Sequence, residues 1–177
     1  MPYRLLQPLP PPIAVWEDIS LDFIIGLQSF QNNIVILVVV DRFFKAAHFG
    51  MLPTSFNTIK VADLFIVMVC KLHGMPKSIV SDRDPIFMSN FWKERFRLSG
   101  TKLRMSFAYH PQSDGQTEAV NKILQQYLRA FVDDQPKQWG RYLHWAEWHY
   151  NTTKHSVIGM TPYDHSLKFI SYFMLLS

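Results

Sequence analysis

The sequence predicts a layered α/β domain in which a five-stranded mixed sheet is flanked by helices. The predicted elements run as three strands, then helix, strand, helix and strand, and finally helices, an order typical of mixed sheets. The apolar run at residues 34–40 indicates a strand that is buried on both faces. The chain has 177 residues, 48% of them hydrophobic and 18% charged, which suffices for one domain with a substantial core.

Five strands are predicted from apolar runs bounded by polar or turn-forming residues. A polar turn at residues 28–33 separates the first two strands. The third strand alternates less cleanly than the second, and the fourth is short. The predicted strands are residues 16–25, 34–41, 43–52, 78–82 and 102–108.

The helices are predicted from apolar residues that recur at helical spacing. The first is capped within residues 54–57 and ends at Gly74, with Pro76 just beyond it. Its apolar face is expected to hold Val61, Leu64, Phe65, Met68 and Leu72.

Three further helices follow along the chain. Ser89 or Asn90 is expected to cap the second helix, which ends at Gly100. A long third helix is predicted from about residue 116 to residue 132, after a loop at residues 109–115. The last helix starts at Pro136 and is rich in aromatic residues.

The domain is expected to occupy residues 16–163. Residues 1–15 form a proline-rich linker, and residues 164–177 form a divergent, apolar C-terminal tail. The net charge of +4 weakly favours an acidic partner. With Cys70 as its one cysteine the chain cannot form an internal disulfide, so we expect a reducing, intracellular setting. The longest apolar run, residues 34–40, is too short to span a membrane, so we expect no membrane association.

Three carboxylates carry most of the chemical information: Asp22, Asp82 and Glu118. Asp22 lies within the apolar first strand, and Asp82 ends the fourth strand. Glu118 lies in the first turn of the long helix, with thirty-five residues between it and Asp82. A buried acid is costly unless it binds a cation or a partner. Acids on separate elements can jointly hold two divalent ions, which points to phosphoryl transfer. Magnesium prefers such hard oxygen ligands.

A plainer interpretation of these acids remains open. Asp82 and Asp84 could form a polar turn, and Glu118 could belong to a helix-capping arrangement with Thr117 or Asp114. Asp22 is harder to explain in this way, because its neighbours in the strand are apolar.

The residues around Glu118 suggest contacts with nucleic acid. Lys122, Gln125 and Arg129 share a helix face with Glu118, which suits phosphates beyond a metal site. The preceding loop, residues 109–117, could grip a nucleic-acid end by stacking and amide contacts. An ordinary solvated face and a polar connection remain the alternatives for these two features.

Four segments resemble the integrase catalytic core of gypsy-type LTR retrotransposons, particularly plant members, within the retroviral integrase superfamily. They are residues 16–23, 38–45, 73–84 and 109–118, and the spacing from Asp82 to Glu118 matches the family's D-x35-E pattern. The likeness covers roughly residues 5–163, and residues 135–139 and 150–153 also match.

This resemblance implies an RNase H-like fold with Mg²⁺ or Mn²⁺ at Asp22, Asp82 and Glu118. It implies trimming of the 3′ ends of element DNA, followed by attack of the new 3′-hydroxyls on target DNA, in the nucleus and as a homo-oligomer. The expected DNA contacts are Tyr109, His110, Gln112, Asp114, Asn121, Lys122, Gln125 and Arg129.

Two departures keep other functions open. The chain contains no counterpart of the family's N-terminal His₂Cys₂ zinc module, and its final residues diverge from the family pattern. The alternative is a catalytically inactive retroelement remnant that serves as a DNA-binding or interaction module. An RNase H-type nuclease is a third possibility, which the D-x35-E spacing disfavours.

Overall fold

A computed structural model describes residues 13–81, 89–105, 111–132, 136–154 and 159–164. Within these ranges five strands form one sheet in the order β3-β2-β1-β4-β5. The strands are β1 (Asp18–Ile24), β2 (Asn33–Asp41), β3 (Ala47–Pro53), β4 (Ser78–Ser81) and β5 (Lys102–Met105). β2 runs antiparallel to β1 and β3, whereas β4 runs parallel to β1 and β5. The predicted five-stranded mixed sheet is confirmed.

Helices cover both faces of this sheet. They are α1 (Thr58–Phe65), a π-helical turn (Ile66–Cys70), α2 (Lys71–His73), α3 (Asn90–Leu98), α4 (Pro111–Val132), a 3₁₀ turn (Pro136–Gln138) and α5 (Trp139–Thr152). In the part of the chain that the structure describes, no helix has the length and apolar character needed to cross a bilayer.

The core has two halves, one on each side of β2. Successive residues of a strand point to opposite faces. Val35, Leu37 and Val39 therefore pack in the half that includes Phe65, Trp92 and Phe96. Ile36, Val38 and Val40 pack in the half that includes Leu124 and Leu143. All six β2 side chains are buried, as the continuous apolar run predicts.

Asp41 explains why β3 starts later than predicted. Its buried carboxylate accepts backbone hydrogen bonds from Phe43 (3.3 Å) and Phe44 (2.9 Å), which turns the chain directly after β2. Residues 42–44 consequently form a turn, and the strand begins at Ala47. The same carboxylate accepts the N–H of Trp16 at 3.1 Å, and Trp16 adopts a positive φ of 58°. β1 therefore begins at Asp18 instead of residue 16.

The first predicted helix is interrupted by the π-helical turn. Asn57 caps it, accepting the N–H of Lys60 at 3.0 Å, and Gly74 ends it with a φ of 81°. A π turn carries an extra residue, which rotates the residues beyond it. Val69 is therefore buried, whereas Leu72 is 63% exposed, so the prediction that Leu72 belongs to the apolar face is wrong.

Two other boundaries differ from the predicted ones. α4 begins at Pro111, five residues before the predicted start, because proline is well suited to the first position of a helix. Residues predicted as a loop, 111–115, are thus helical. The observed β5 ends at Met105, and residues 106–110 lie outside the described part of the chain. The predicted linker and tail fall largely outside it as well.

Candidate active site

Asp22 lies in the middle of β1, half-buried, on the sheet face that α4 covers. Ile24 follows it two residues later, on the same face, and packs with Val120 and Leu124 of α4. Oδ1 of Asp22 accepts a hydrogen bond from the backbone N–H of Phe23 at 2.8 Å. A carboxylate is therefore held among apolar strand residues, as the sequence predicts.

Asn121 of α4 contacts this carboxylate directly. Its side-chain amide donates a hydrogen bond to Oδ2 of Asp22. The other end of the amide, Oδ1 of Asn121, is buried and has no hydrogen-bond partner among the described residues. The structure thus brings together two residues that the sequence analysis assigned to different roles, one to a metal and one to DNA.

Glu118 lies one helical turn before Asn121. The structure describes its backbone within α4 but not its side chain. Residues three apart on a helix are neighbours on its surface. The helix position that bears Glu118 is therefore a neighbour of Asn121 on the surface of α4.

Asp82 lies outside the described residues, but the strand that leads to it is well defined. β1 and β4 pair in parallel from Asp18 with Ser78 to Leu21 with Ser81. Ser81 is buried and is the last residue of β4. The carboxyl ends of these neighbouring strands meet at the same edge of the sheet, where ligands gather in open α/β folds.

The expected DNA contacts fall into three groups. Tyr109 and His110 lie outside the described residues, and of Gln112 and Asp114 the structure describes only the backbone in the first turns of α4. Lys122, Gln125 and Arg129 are all exposed on α4, whereas the side chain of Glu118, predicted on the same face, is not described. The opposite side buries Val120, Leu124 and Leu128, whereas Ile123 is 37% exposed.

The described donor atoms suit a hard divalent cation. Asp22 supplies carboxylate oxygens, and Asn121 supplies a buried amide oxygen with no described partner. Carboxylate and amide oxygens are ligands that Mg²⁺ and similar ions accept. The side chains described contain no group of three or more His, Cys, Asp or Glu residues that could hold an ion. A complete site would thus also need Asp82 and Glu118, whose side chains are not described.

The sequence analysis missed a second polar cluster, formed by Trp16, His48, His73 and Glu147 at the β3 edge of the sheet. Nδ1 of His48 lies 2.9 Å from Oε1 of Glu147, and Nε2 of His48 lies 2.9 Å from Nε2 of His73. Ninety-nine residues separate His48 from Glu147, so no local pattern signals this contact. Asp41 was also overlooked, although an acid at the end of a buried strand is a visible signal.

The fold is that of the retroviral integrase catalytic cores, which is RNase H-like. The HTLV-2 integrase catalytic core domain in complex with magnesium (trimeric form) matches with a TM-score of 0.68 and 19% identity, covering 84% of this chain and 95% of that chain. The catalytic core domain of BIV integrase matches with a TM-score of 0.69 and 19% identity, covering 90% and 99% of the two chains. The predicted fold class is confirmed.

The family follows from closer relatives. The Tf2-3 and Tf2-4 transposon polyproteins of Schizosaccharomyces pombe are each 36% identical over 163 residues, which is 92% of this chain and 12% of each polyprotein. The chain belongs with the integrase-core-like domains of these retrotransposon polyproteins, and it spans about an eighth of the length of these relatives. No family model matches it.

Proposed function

We propose that this domain trims the 3′ ends of retroelement DNA and joins them to host DNA. One observation carries the proposal: the hydrogen bond from Asn121 to Asp22. It ties α4, the helix that bears Glu118, to the strand that bears the first acid. The three acids come from elements far apart in sequence, so a shared site requires a contact of this kind.

The strand register supports a place for Asp82 in the same site. Leu21 pairs with Ser81, and Asp22 and Asp82 are the residues that follow them in the sequence. If the parallel pairing continues by one residue, the two aspartates are neighbours. Unpaired neighbouring carboxylates repel each other, so this arrangement favours a bound cation.

Asp22, Asp82 and Glu118 would hold Mg²⁺ or Mn²⁺; one core of the same fold was solved in complex with magnesium. When bound, such ions activate the attacking oxygen and neutralise the leaving oxygen of a phosphodiester. The amide of Asn121 fixes the rotamer of the Asp22 carboxylate, so that this ligand is oriented before an ion arrives.

DNA would lie along the exposed side of α4. Lys122 and Arg129 are seven residues apart, about 10 Å along the helix axis, and both are exposed. Their cationic groups would contact phosphates, and Gln125 between them would add hydrogen bonds. Tyr109, His110, Gln112 and Asp114 would contact the DNA end near the acids. The full protein would act in the nucleus as a homo-oligomer on paired DNA ends.

The chemistry has two steps. Water first attacks a phosphodiester near the end of the element DNA, which releases a short 3′ fragment and leaves a 3′-hydroxyl. That hydroxyl then attacks a phosphorus of the target strand, and the target's own 3′ oxygen leaves. One bond forms and one breaks in each step, so no external energy source is required.

A branched DNA substrate tests this proposal in the presence of Mn²⁺. The wild-type chain should reverse strand transfer on this substrate, and Glu118→Gln should lose the reaction. Gln126→Ala changes an exposed residue of the same helix and should retain it. Equal activity of wild type and Glu118→Gln would refute the proposal, and a chain that binds DNA without any cleavage would indicate an inactive remnant. Preferential cleavage of RNA–DNA hybrids would indicate a nuclease of the RNase H type.

A further inference from the structure

The cluster of Trp16, His48, His73 and Glu147 lies apart from the carboxylates. His48 is on the edge strand β3, which β2 separates from β1. His73 is the last residue of α2, and Glu147 projects from α5. Trp16 precedes β1 and lies flat against both imidazoles, with ring centroids 4.9 Å from His48 and 4.1 Å from His73.

Glu147 uses both carboxylate oxygens on β3. Oε2 accepts the backbone N–H of Phe49 at 2.8 Å, and Oε1 lies 2.9 Å from Nδ1 of His48. An ionised carboxylate can only accept hydrogen bonds. Nδ1 of His48 must therefore carry a proton, and in the neutral ring Nε2 of His48 is then a bare acceptor.

The tautomer of His73 follows from that of His48. Nε2 of His73 lies 2.9 Å from Nε2 of His48, a hydrogen-bond distance that requires one proton between the two nitrogen atoms. Because neutral His48 cannot supply this proton, Nε2 of His73 must carry it. The chain of donors then runs from His73 to His48 to Glu147.

Ring geometry favours a hydrogen bond over a bridging metal ion. The imidazole centroids lie 5.2 Å apart with an angle of 27° between the planes, the spacing of two rings that meet nitrogen to nitrogen. An ion between two facing nitrogen atoms would hold them roughly 4 Å apart. The observed separation is 2.9 Å.

We propose that His73, His48 and Glu147 form a proton-dependent latch, covered by Trp16, that fastens the segments leading into β1 and β4 to the edge of the sheet. The latch is closed while the two imidazoles share one proton between their Nε2 atoms. It opens when both imidazoles are charged, because two N–H groups then face each other without an acceptor.

The latch holds the N-terminal ends of β1 and β4, the two strands that lead to the carboxylate site. Trp16 directly precedes β1, and the chain runs from His73 through Pro76 into β4. The backbone N–H groups of Lys77 and Ser78 both donate to the carbonyl of Glu17, at 2.7 and 3.0 Å. The latch thus clamps the place where the register of β1 and β4 is set, the pairing of Asp18 with Ser78, which lie four residues before Asp22 and Asp82 in the sequence.

Other titratable groups around the latch do not replace its partners. Tyr163 lies near Glu147; burial raises the pKa of Tyr163, Glu147 raises it further, and Asn151 lowers it. Asp41 lies at the end of β2, and its carboxylate oxygens accept hydrogen bonds from the backbone N–H groups of Trp16, Phe43 and Phe44. Desolvation and the nearby His48 lower the pKa of His73 to about 4, which keeps this ring neutral at pH 7.

Long-range ¹H–¹⁵N spectra of the histidine-labelled full chain test the latch. At pH 7.5 we expect His48 to carry its proton on Nδ1 and His73 to carry its proton on Nε2. The chain has seven histidines, so His48→Gln and His73→Gln variants identify the two sets of signals. A His48 ring protonated only at Nε2 would overturn the proposal, and this measurement needs no variant beyond those used for assignment.

Coupling between the rings provides the second measurement. In Glu147→Gln the acceptor for Nδ1–H is weakened, so the His48 proton should shift toward Nε2. In His48→Gln the titration midpoint of His73 should rise, because the nearby His48 lowers the pKa of His73. His144→Gln removes an exposed histidine of α5 and should change neither signal. A titration midpoint of His73 that is unaffected by the loss of His48 would overturn the latch.

Discussion

The side-chain amide of Asn121 donates a hydrogen bond to Oδ2 of Asp22, although ninety-nine residues separate the two. This contact joins the long helix α4 to the central region of the sheet. It fixes one carboxylate of the proposed metal site through a residue that carries no charge.

Replacing Asn121 tests this contact. Asn121→Leu keeps the approximate side-chain size but removes the donor to Asp22, so the carboxylate loses its orientation. We expect the Mn²⁺-dependent strand-transfer rate to fall about 10–100-fold, with the fold retained in circular dichroism spectra. Gln126→Ala, on the exposed side of the same helix, should keep the wild-type rate. An unchanged rate in Asn121→Leu would show that Asp22 does not need this amide.

The exposed cations of α4 are tested by the salt dependence of DNA binding. The slope of log K against log [salt] is negative, and each lost phosphate contact should reduce its magnitude by about 0.9. We therefore expect a smaller slope for Lys122→Gln and for Arg129→Gln in fluorescence anisotropy titrations. Arg141→Gln removes an exposed cation from α5 and should leave the slope unchanged. An equal reduction of the slope in all three variants would indicate a general effect of net charge instead of a defined DNA-binding surface.

Asp41 should be important for stability and not for chemistry. Asp41→Ala leaves the N–H groups of Trp16, Phe43 and Phe44 without their acceptor. We expect the free energy of unfolding in urea to fall by about 2–4 kcal/mol. Asp63→Ala, at an exposed position of α1, should change it by less than about 0.5 kcal/mol. Similar stabilities for the two variants would contradict this role.

Gly140 allows α5 to lie against the turn before β2. A Cβ atom at this position would come within 2.1 Å of the Phe30 ring. Gly140→Ala should therefore destabilise the domain by about 1–3 kcal/mol, measured by urea unfolding. Phe30→Leu, which removes the ring, should make the same glycine substitution less costly. If Gly140→Ala destabilised the wild type and the Phe30→Leu variant equally, the Phe30 ring would not be the source of the strain.

The lowered pKa of His73 predicts a pH-dependent stability. The unfolded chain takes up a proton on this residue near pH 6.5, whereas the folded chain does so near pH 4. The free energy of unfolding should therefore decrease as pH falls from about 6.5 to about 4. Urea unfolding at closely spaced pH values should show a flatter curve for His73→Gln, and the wild-type slope for His144→Gln. Superimposable wild-type and His73→Gln curves would contradict this origin of the pH dependence.

Short-range patterns were sufficient for most of the fold. The apolar run at residues 34–40 gave β2 almost to the residue, and Asn57 and Gly74 marked both ends of the first helical segment. These features depend on neighbouring residues alone. The later start of β3 did not follow from any such pattern, because it depends on the hydrogen bonds of the buried Asp41.

Long-range contacts explain the rest. The exposure of Leu72 follows from a π turn that its helical spacing does not reveal. The hydrogen bonds from Asn121 to Asp22 and between His48 and Glu147 join residues ninety-nine positions apart. The residue types and their spacing were enough to indicate the three acids as candidate metal ligands. Only the folded sheet, however, brings α4 to Asp22 and α5 to β3.

Equilibrium binding of Mn²⁺, followed by the electron paramagnetic resonance signal of the free ion, tests the central proposal most directly. The wild-type chain should bind the ion, and Asp22→Asn and Asp82→Asn should each weaken binding at least tenfold. Asp84→Asn, which removes a carboxylate two residues beyond Asp82, should bind as the wild type does. Unchanged binding in Asp82→Asn, or an equal loss in Asp84→Asn, would contradict a metal site built from Asp22, Asp82 and Glu118.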